Sequence, residues 1–276
     1  MSFSPKILMN DGRYIDQLGF GIWSIPADQT AAAVSSALGL GYRLVDGAWI
    51  YGNEAEQGAG LKASGVERKD VFLTSKVWND AHGREKTRAS VERSLTSIGV
   101  EQLDLVLIHW PVPMQNLYVE TWETLIELQK EGKIASIGVS NFNADHLKHI
   151  IDATGVTPAI NQIEVNPQLQ QPELCKVCKE MGVLVQAWTP LGNGAEFASK
   201  PIADAAARTG KSPAQVVLRW LIQREVTVIT RSVNPARQAE NLNVFDFELT
   251  DAEMAEIATL DKGLRTGPDP SVFKLM

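Results

Sequence analysis

Seven residues able to hydrogen-bond or carry charge stand one after another at the ends of short apolar runs: Asp46, Lys76, His109, Asn141, Gln162, Trp188 and Arg231. A carboxylate at the end of an apolar strand is costly to bury unless a cation neutralises it. Lys76, closing Leu73-Thr-Ser-Lys76, is the natural partner for Asp46, and the two alone could be an ion pair that only holds a structure together. Tyr51, in Val45-Asp-Gly-Ala-Trp-Ile-Tyr51, adds chemistry. A phenol beside an ammonium has its ionised form favoured, so its pKa is expected to fall from about 10 toward neutrality, where it can serve as a general acid. His109 ends the next run, placed to hydrogen-bond a substrate oxygen. A lone histidine there is readily a satisfied core residue, but four polar groups converging at one rim point to catalysis.

The elements that must position these groups follow from the pattern. Tyr42–Val45, Val71–Thr74, Leu103–Ile108, Ile134–Val139, Ala159–Ile163, Val183–Ala187 and Thr227–Ile229 read as buried parallel strands, each followed by a helical stretch. A first strand is expected at Gly19–Ile22, followed by a helix capped by Asp28. Further helices are expected at Glu54–Ala63, Glu85–Ile98, Leu117–Glu131, Ala144–Ala153, Gln171–Met181, Pro213–Arg224 and Pro235–Leu242. Ahead of them, Lys6–Met9, an Asp11-Gly12 turn and Tyr14–Leu18 read as a hairpin able to plug the bottom of a barrel. The fold class is therefore α/β, a (β/α)₈ TIM barrel with an N-terminal β-hairpin and two extra helices, Ile202–Thr209 and Asp251–Leu260. A tail, Asp261–Met276, rich in Gly and Pro, ends it. In such a barrel the loops at the carboxyl ends of the strands converge on one mouth, where the seven residues would meet. An open doubly wound sheet would want a Gly-rich phosphate loop after its first strand, and Gly19-Phe-Gly21-Ile does not continue as one.

The 276 residues, 44% hydrophobic, suffice for one barrel domain spanning 1–276. The net charge of −7, with both signs mixed along the helices, disfavours a nucleic-acid or anionic-membrane partner. Met1–Leu8 has no apolar signal core and no run approaches a membrane span, which makes a cytoplasmic protein the expectation. The only cysteines, Cys175 and Cys178, form a lone C-x-x-C within a helical stretch. A zinc site would want two more soft ligands, and no metal site is expected. Trp23, Trp49, Trp78 and Trp110 follow strands or flank Tyr51, and are expected to line the mouth as substrate-binding walls unless they merely fill the rim.

The strings Gly41-Tyr-Arg-Leu-Val-Asp46 through Tyr51-Gly-Asn-Glu54, Leu107-Ile-His-Trp-Pro111, Ile137-Gly-Val-Ser-Asn-Phe142, Asn161-Gln-Ile-Glu164, Pro190-Leu-Gly192 and Arg231-Ser232 through Glu240-Asn241 resemble the aldo-keto reductases, most of all the bacterial 2,5-diketo-D-gluconic acid reductases. The resemblance covers essentially the whole chain. It implies a usually monomeric (β/α)₈ barrel that reduces small carbonyl substrates with NADPH and no metal, NADH binding less tightly. A catalytic tetrad would fall on Asp46, Tyr51, Lys76 and His109. By the same resemblance Ser140, Asn141 and Gln162 would hold the nicotinamide carboxamide, each amide offering a donor and an acceptor. Trp188 would stack on the nicotinamide, and Leu191 and Gly192 would offer backbone N–H groups to the pyrophosphate. Arg231, Ser232 and Arg237 would surround the adenosine 2′-phosphate, and Glu240 and Asn241 would meet the adenine.

The chain departs from the family's usual pattern at Arg231, commonly Lys, at Thr230, commonly Pro, at Gly47, usually Thr, and at Asn166, often His. The Arg231 change bears on how strongly NADPH is preferred. Two other classes of function remain open from the residues: a Schiff-base lyase using Lys76, and a redox-silent barrel that only senses bound nicotinamide. The physiological substrate is not legible in the chain.

Overall fold

The computed structural model describes residues 4–275. Met1–Phe3, part of the stretch read as lacking a signal core, and Met276, the last residue of the tail, lie outside the described residues. Strands β1 (Lys6–Leu8) and β2 (Tyr14–Asp16) form the antiparallel hairpin, with Ile7 opposite Ile15. Gly12 takes φ +84° at its turn, a conformation that glycine adopts at no steric cost.

Eight parallel strands then close a barrel: β3 (Leu18–Gly21), β4 (Leu44–Asp46), β5 (Phe72–Val77), β6 (Leu103–Ile108), β7 (Ile134–Ser140), β8 (Ile160–Glu164), β9 (Leu184–Trp188) and β10 (Thr227–Thr230). They pair in chain order, and β10 closes on β3 with Thr230 beside Phe20. The helices that follow are α1 (Ala27–Leu40), α2 (Glu54–Ser64), α3 (Arg84–Ile98), α4 (Tyr118–Lys130), α5 (Ala144–Thr154), α6 (Pro172–Glu180), α7 (Lys200–Thr209), α8 (Pro213–Gln223), α9 (Pro235–Leu242) and α10 (Asp251–Ala258). The two helices beyond eight β/α units, α7 and α10, are the two extra ones expected. No helix among the described residues is long and apolar enough to cross a membrane.

Two apolar clusters account for the architecture. The larger lies between strands and helices and includes Phe20, Val45, Leu73, Trp122 and Trp220. The smaller fills the barrel: Leu44, Leu105, Leu107, Ile160 and Ile229 pack with Met9 and Ile15 of the hairpin. The hairpin is pinned to the amino ends of the strands, where Asp11 accepts from Ser136 Oγ at 2.6 Å and Asn10 Nδ2 donates to the Pro158 carbonyl at 2.8 Å. Removing those apolar side chains from water is what closes this end. The carboxyl ends are left for polar groups. The helix layer also depends on close approach, since a Cβ at Gly58 of α2 would collide with the Ile98 carbonyl that ends α3.

Candidate active site

Asp46 is the last residue of β4 and Lys76 the fifth of β5, so neighbouring strands deliver a carboxylate and an ammonium side by side. Lys76 Nζ donates to Asp46 Oδ2 at 2.7 Å and to the Gly47 carbonyl at 2.9 Å, and lies 3.4 Å from Tyr51 Oη. An ammonium has three N–H donors, and these three oxygens account for them. The second Asp46 oxygen accepts from Gln162 Nε2 at 2.8 Å, so the buried carboxylate is satisfied on both sides. The Tyr51 and His109 rings meet edge to face at 5.7 Å between centroids, and the indole of Trp78 lies 4.9 Å from the imidazole. Tyr51 reaches this spot from a short 3₁₀ turn, Trp49–Tyr51, ended by Gly52 at φ +70°.

The protonation of this cluster differs from the expectation in one respect. Burial raises the Tyr51 phenol above its ordinary value, and the Lys76 charge opposes that shift without overcoming it, because Asp46 partly cancels the ammonium's field. The phenol is therefore a proton holder at neutral pH rather than a group on the edge of ionising. Burial alone would lower Lys76, but the charge of Asp46 and its contacts with Asp46 and Tyr51 keep it above the usual ammonium range. His109 is held well below the ordinary imidazole value by burial and then by the Lys76 charge, and its Nδ1 has no hydrogen-bond partner among the described residues. A neutral imidazole carries a single N–H to offer. With His109 already neutral and Tyr51 still protonated, kcat for a reaction needing both forms is expected to stay level from about pH 6.5 to about pH 10, and to fall only at the alkaline end as the phenol loses its proton. A kcat profile at saturating substrate checks this. A decline centred on the ordinary histidine value would mean that His109 titrates as an exposed imidazole.

A second hydrogen-bonded chain runs beside the first. Ser140 ends β7 and donates through Oγ to the Gln162 carbonyl at 2.7 Å. Asn141, held at φ +61°, which Asn tolerates better than most residues, donates through Nδ2 to the His109 carbonyl and to Ser140 Oγ, both at 3.0 Å. Its Oδ1 accepts from Trp188 Nε1 at 2.8 Å. Gln162 Nε2 also donates to Gln186 Oε1 at 2.7 Å. The amide hydrogens of Asn141 and Gln162 are thus already committed, and what they can offer a ligand is acceptor oxygen. The expectation that each amide presents a donor as well is corrected by these partners.

The remaining residues are distributed around this centre. Leu191 and Gly192 lie in the turn after β9, where the Gly192 N–H donates to the Thr189 carbonyl at 3.0 Å and the Leu191 N–H has no acceptor among the described residues. Arg231, Ser232 and Arg237 lie beyond β10 and on the first turn of α9. Arg237 is exposed and makes no ion pair or side-chain hydrogen bond with a described residue. The α9 N-terminus is itself capped by Asn234 Oδ1, which accepts from Ala236 and Arg237 N–H, so those two N–H groups are already taken. Glu240 accepts from Ser212 Oγ at the start of α8, and Asn241 is buried beside it.

The tryptophans divide. Trp78 and Trp110 form one buried apolar cluster with Val112, against which Trp188 and Phe273 pack. Trp23 is 57% exposed at the rim. Trp49 does not join them: the guanidinium of Arg93 on α3 lies 3.7 Å from its ring centroid and takes up that face. Of the substitutions at the rim, the space that Gly47 opens is filled by the buried side chain of Gln57, with which a Cβ would collide. Asn166 makes a turn, its Oδ1 accepting from Gln168 N–H at 3.0 Å and Leu169 N–H at 3.2 Å, and its side chain lies against Gly192.

Three residues given no role in the sequence reading complete the site. Gln186 holds Gln162. The fully buried Glu164 fastens the tail, accepting from Thr266 N–H at 2.7 Å and Gly267 N–H at 3.1 Å, and Gly267 lies so close to Trp188 that a side chain there would strike the indole. Phe273 of the same tail packs on Trp110 with 4.4 Å between centroids. Period-two alternation could have flagged Gln186 and Glu164, which share a strand face with Trp188 and Gln162 respectively. The tail has no period to read.

A family model described as the aldo/keto reductase family matches residues 17–262, nearly the whole barrel. The chain belongs to the aldo-keto reductase family. An aldo-keto reductase of Mycolicibacterium smegmatis is 48% identical over 270 residues, 98% of each chain. The methylglyoxal reductase DkgA of Escherichia coli is 45% identical over 275 residues, 99% of each. Among solved structures, a Gox0644 mutant in complex with NADPH superposes with a TM-score of 0.95 at 44% identity, covering 99% of both chains.

Proposed function

We propose that this protein reduces small carbonyl compounds, α-dicarbonyls such as methylglyoxal and keto-sugar acids such as 2,5-diketo-D-gluconate, to alcohols with NADPH. The observation that carries this reading is the Lys76 ammonium, locked by Asp46 and the Gly47 carbonyl with its third donor left for Tyr51 Oη. The full-length likeness to a methylglyoxal reductase supports the substrate class, and the NADPH-bound neighbour supports the cofactor.

The residues present suit that cofactor. Arg231 and Arg237 have no carboxylate partner among the described residues, in a chain with more acidic than basic side chains, and guanidinium is well matched to phosphate. Acceptor oxygens of Asn141 and Gln162 suit a carboxamide NH₂, and Trp188 offers an aromatic face. NADPH, when bound, supplies the hydride. The substrate oxygen would lie between Tyr51 and His109. Negative charge grows on that oxygen as the carbonyl carbon is reduced, His109 donates its N–H to it, and Tyr51 delivers its proton. The phenolate left behind is met by the Lys76 N–H already aimed at it, and Asp46 keeps Lys76 from turning away.

Steady-state assays of NADPH oxidation over methylglyoxal, keto-sugar acids, aldoses and aromatic aldehydes test the reading. Turnover on at least one class is expected, with the small dicarbonyls ahead. If substrate is instead trapped covalently on Lys76 by borohydride, the barrel is a Schiff-base lyase; if nothing turns over while NADPH binds, it is a sensor.

The walls of the mouth give a second expectation. Trp23→Ala should admit bulkier ketones and weaken small carbonyls, shifting their kcat/KM ratio by about 10-fold, the scale of a hydrophobic pocket contact. Because more than half of Trp23 is exposed, thermal stability should barely change. A variant that loses stability while ranking substrates as before would assign Trp23 to the scaffold.

A further inference from the structure

Arg231 and Trp23 have so far been assigned to opposite halves of the site, yet they touch. Their strands are neighbours, β10 pairing directly with β3, so the residues just beyond their ends emerge side by side. Arg231 Nη1 donates to the Trp23 carbonyl at 3.3 Å, and the guanidinium carbon lies 5.6 Å from the Trp23 ring centroid, within cation–π range. No carboxylate pairs with Arg231 among the described residues.

The Trp23 carbonyl takes one N–H from Nη1, so a guanidinium held beside the ring keeps its other N–H groups for a phosphate, an anion that guanidinium geometry matches. An arginine otherwise anchored only at its backbone loses rotamer freedom whenever it binds a ligand, and a platform that holds it beforehand removes part of that cost. We propose that Trp23 is a positioning residue for cofactor selectivity: its ring is the platform that holds Arg231 ready for the 2′-phosphate. The proposal rests on the reading of Arg231 as a phosphate ligand. It gives the exposed indole a role on the cofactor side in addition to any at the substrate mouth. By linkage, a bound 2′-phosphate in turn steadies Trp23, so the phosphate would also order one wall of the substrate entrance.

NADP⁺ and NAD⁺ differ only in the 2′-phosphate, and their binding can be followed by calorimetry without turnover. Trp23→Leu keeps an apolar side chain and the backbone carbonyl but removes the aromatic face. It should weaken NADP⁺ by about 2- to 5-fold, the scale of one exposed cation–π contact, and leave NAD⁺ unchanged. Trp23→Phe should fall between Trp23→Leu and the parent. In an Arg231→Gln background, where NADP⁺ is already weakened, Trp23→Leu should cost nothing further. If Arg231→Gln leaves NADP⁺ affinity intact, the phosphate reading of Arg231 is wrong. If Arg231→Gln weakens NADP⁺ and Trp23→Leu does not, that reading stands and the platform is refuted. Equal losses of NADP⁺ and NAD⁺ in Trp23→Leu also refute it, since the ring would then support the cofactor site at large.

Discussion

Tyr51→Phe is expected to lower kcat by about 10² to 10⁴, the range that general acid catalysis supplies, while cofactor affinity is retained. The substitution keeps the ring that packs edge to face on His109 and removes only the hydroxyl facing Lys76 Nζ. That hydroxyl is the one protonated group in the cluster that can give up a proton to an oxygen beside His109. His109 is neutral, and the Lys76 hydrogens are committed to Asp46, Gly47 and Tyr51. Single-turnover rates with a simple aldehyde separate the chemical step from product release. A variant turning over at close to the parent rate would remove Tyr51 from the role of acid.

Neutralising Arg237 is expected to weaken NADPH by about 10-fold or more and NADH far less, because a charge-assisted hydrogen bond is worth about 1.5 to 3 kcal/mol. The expectation is sharp because the Arg237 side chain is exposed and has no partner among the described residues, so the substitution breaks no ion pair that the fold uses. The backbone N–H of Arg237 and that of Ala236 are taken by Asn234, and a phosphate nearby must be met mainly by side chains. Titrating the quenching of tryptophan fluorescence with each cofactor measures the difference. Equal losses for both would place Arg237 away from the phosphate.

The barrel was legible because buried parallel strands write themselves as unbroken apolar runs, and all eight recur in the structure. Their ends were less legible. β5 runs on to Val77, β7 to Ser140 and β9 to Trp188, so Lys76, Ser140 and Trp188 lie within strands instead of after them. Apolar runs stop where side chains turn polar toward the mouth, but the ladder's backbone hydrogen bonds are indifferent to side-chain polarity. The convergence of Asp46, Tyr51, Lys76 and His109 was readable from strand order alone. The upward shift of Tyr51 was not, because it depends on how completely the ring is withdrawn from water. Nor could one sequence reveal that the Asn141 and Gln162 amide hydrogens are spent on His109, Ser140, Asp46 and Gln186, since all of these bonds but the one between neighbouring Asn141 and Ser140 join residues far apart in the chain. Phe273 and the hold of Glu164 on Thr266 and Gly267 lay hidden for a simpler reason. An irregular tail packs wherever tertiary contacts take it.

The central claim is that this site reduces a carbonyl with the hydride of NADPH, and isotope transfer tests it most directly. NADPH deuterated at the reactive carbon of the nicotinamide, incubated with the protein and methylglyoxal, should yield an alcohol carrying one deuterium on the former carbonyl carbon in mass spectrometry. The opposite deuterated epimer should yield none, since a nicotinamide stacked on Trp188 as proposed would turn only one face to the substrate. Loss of NADPH without deuterium in the product, or an unaltered carbonyl compound in the presence of bound NADPH, would contradict the account.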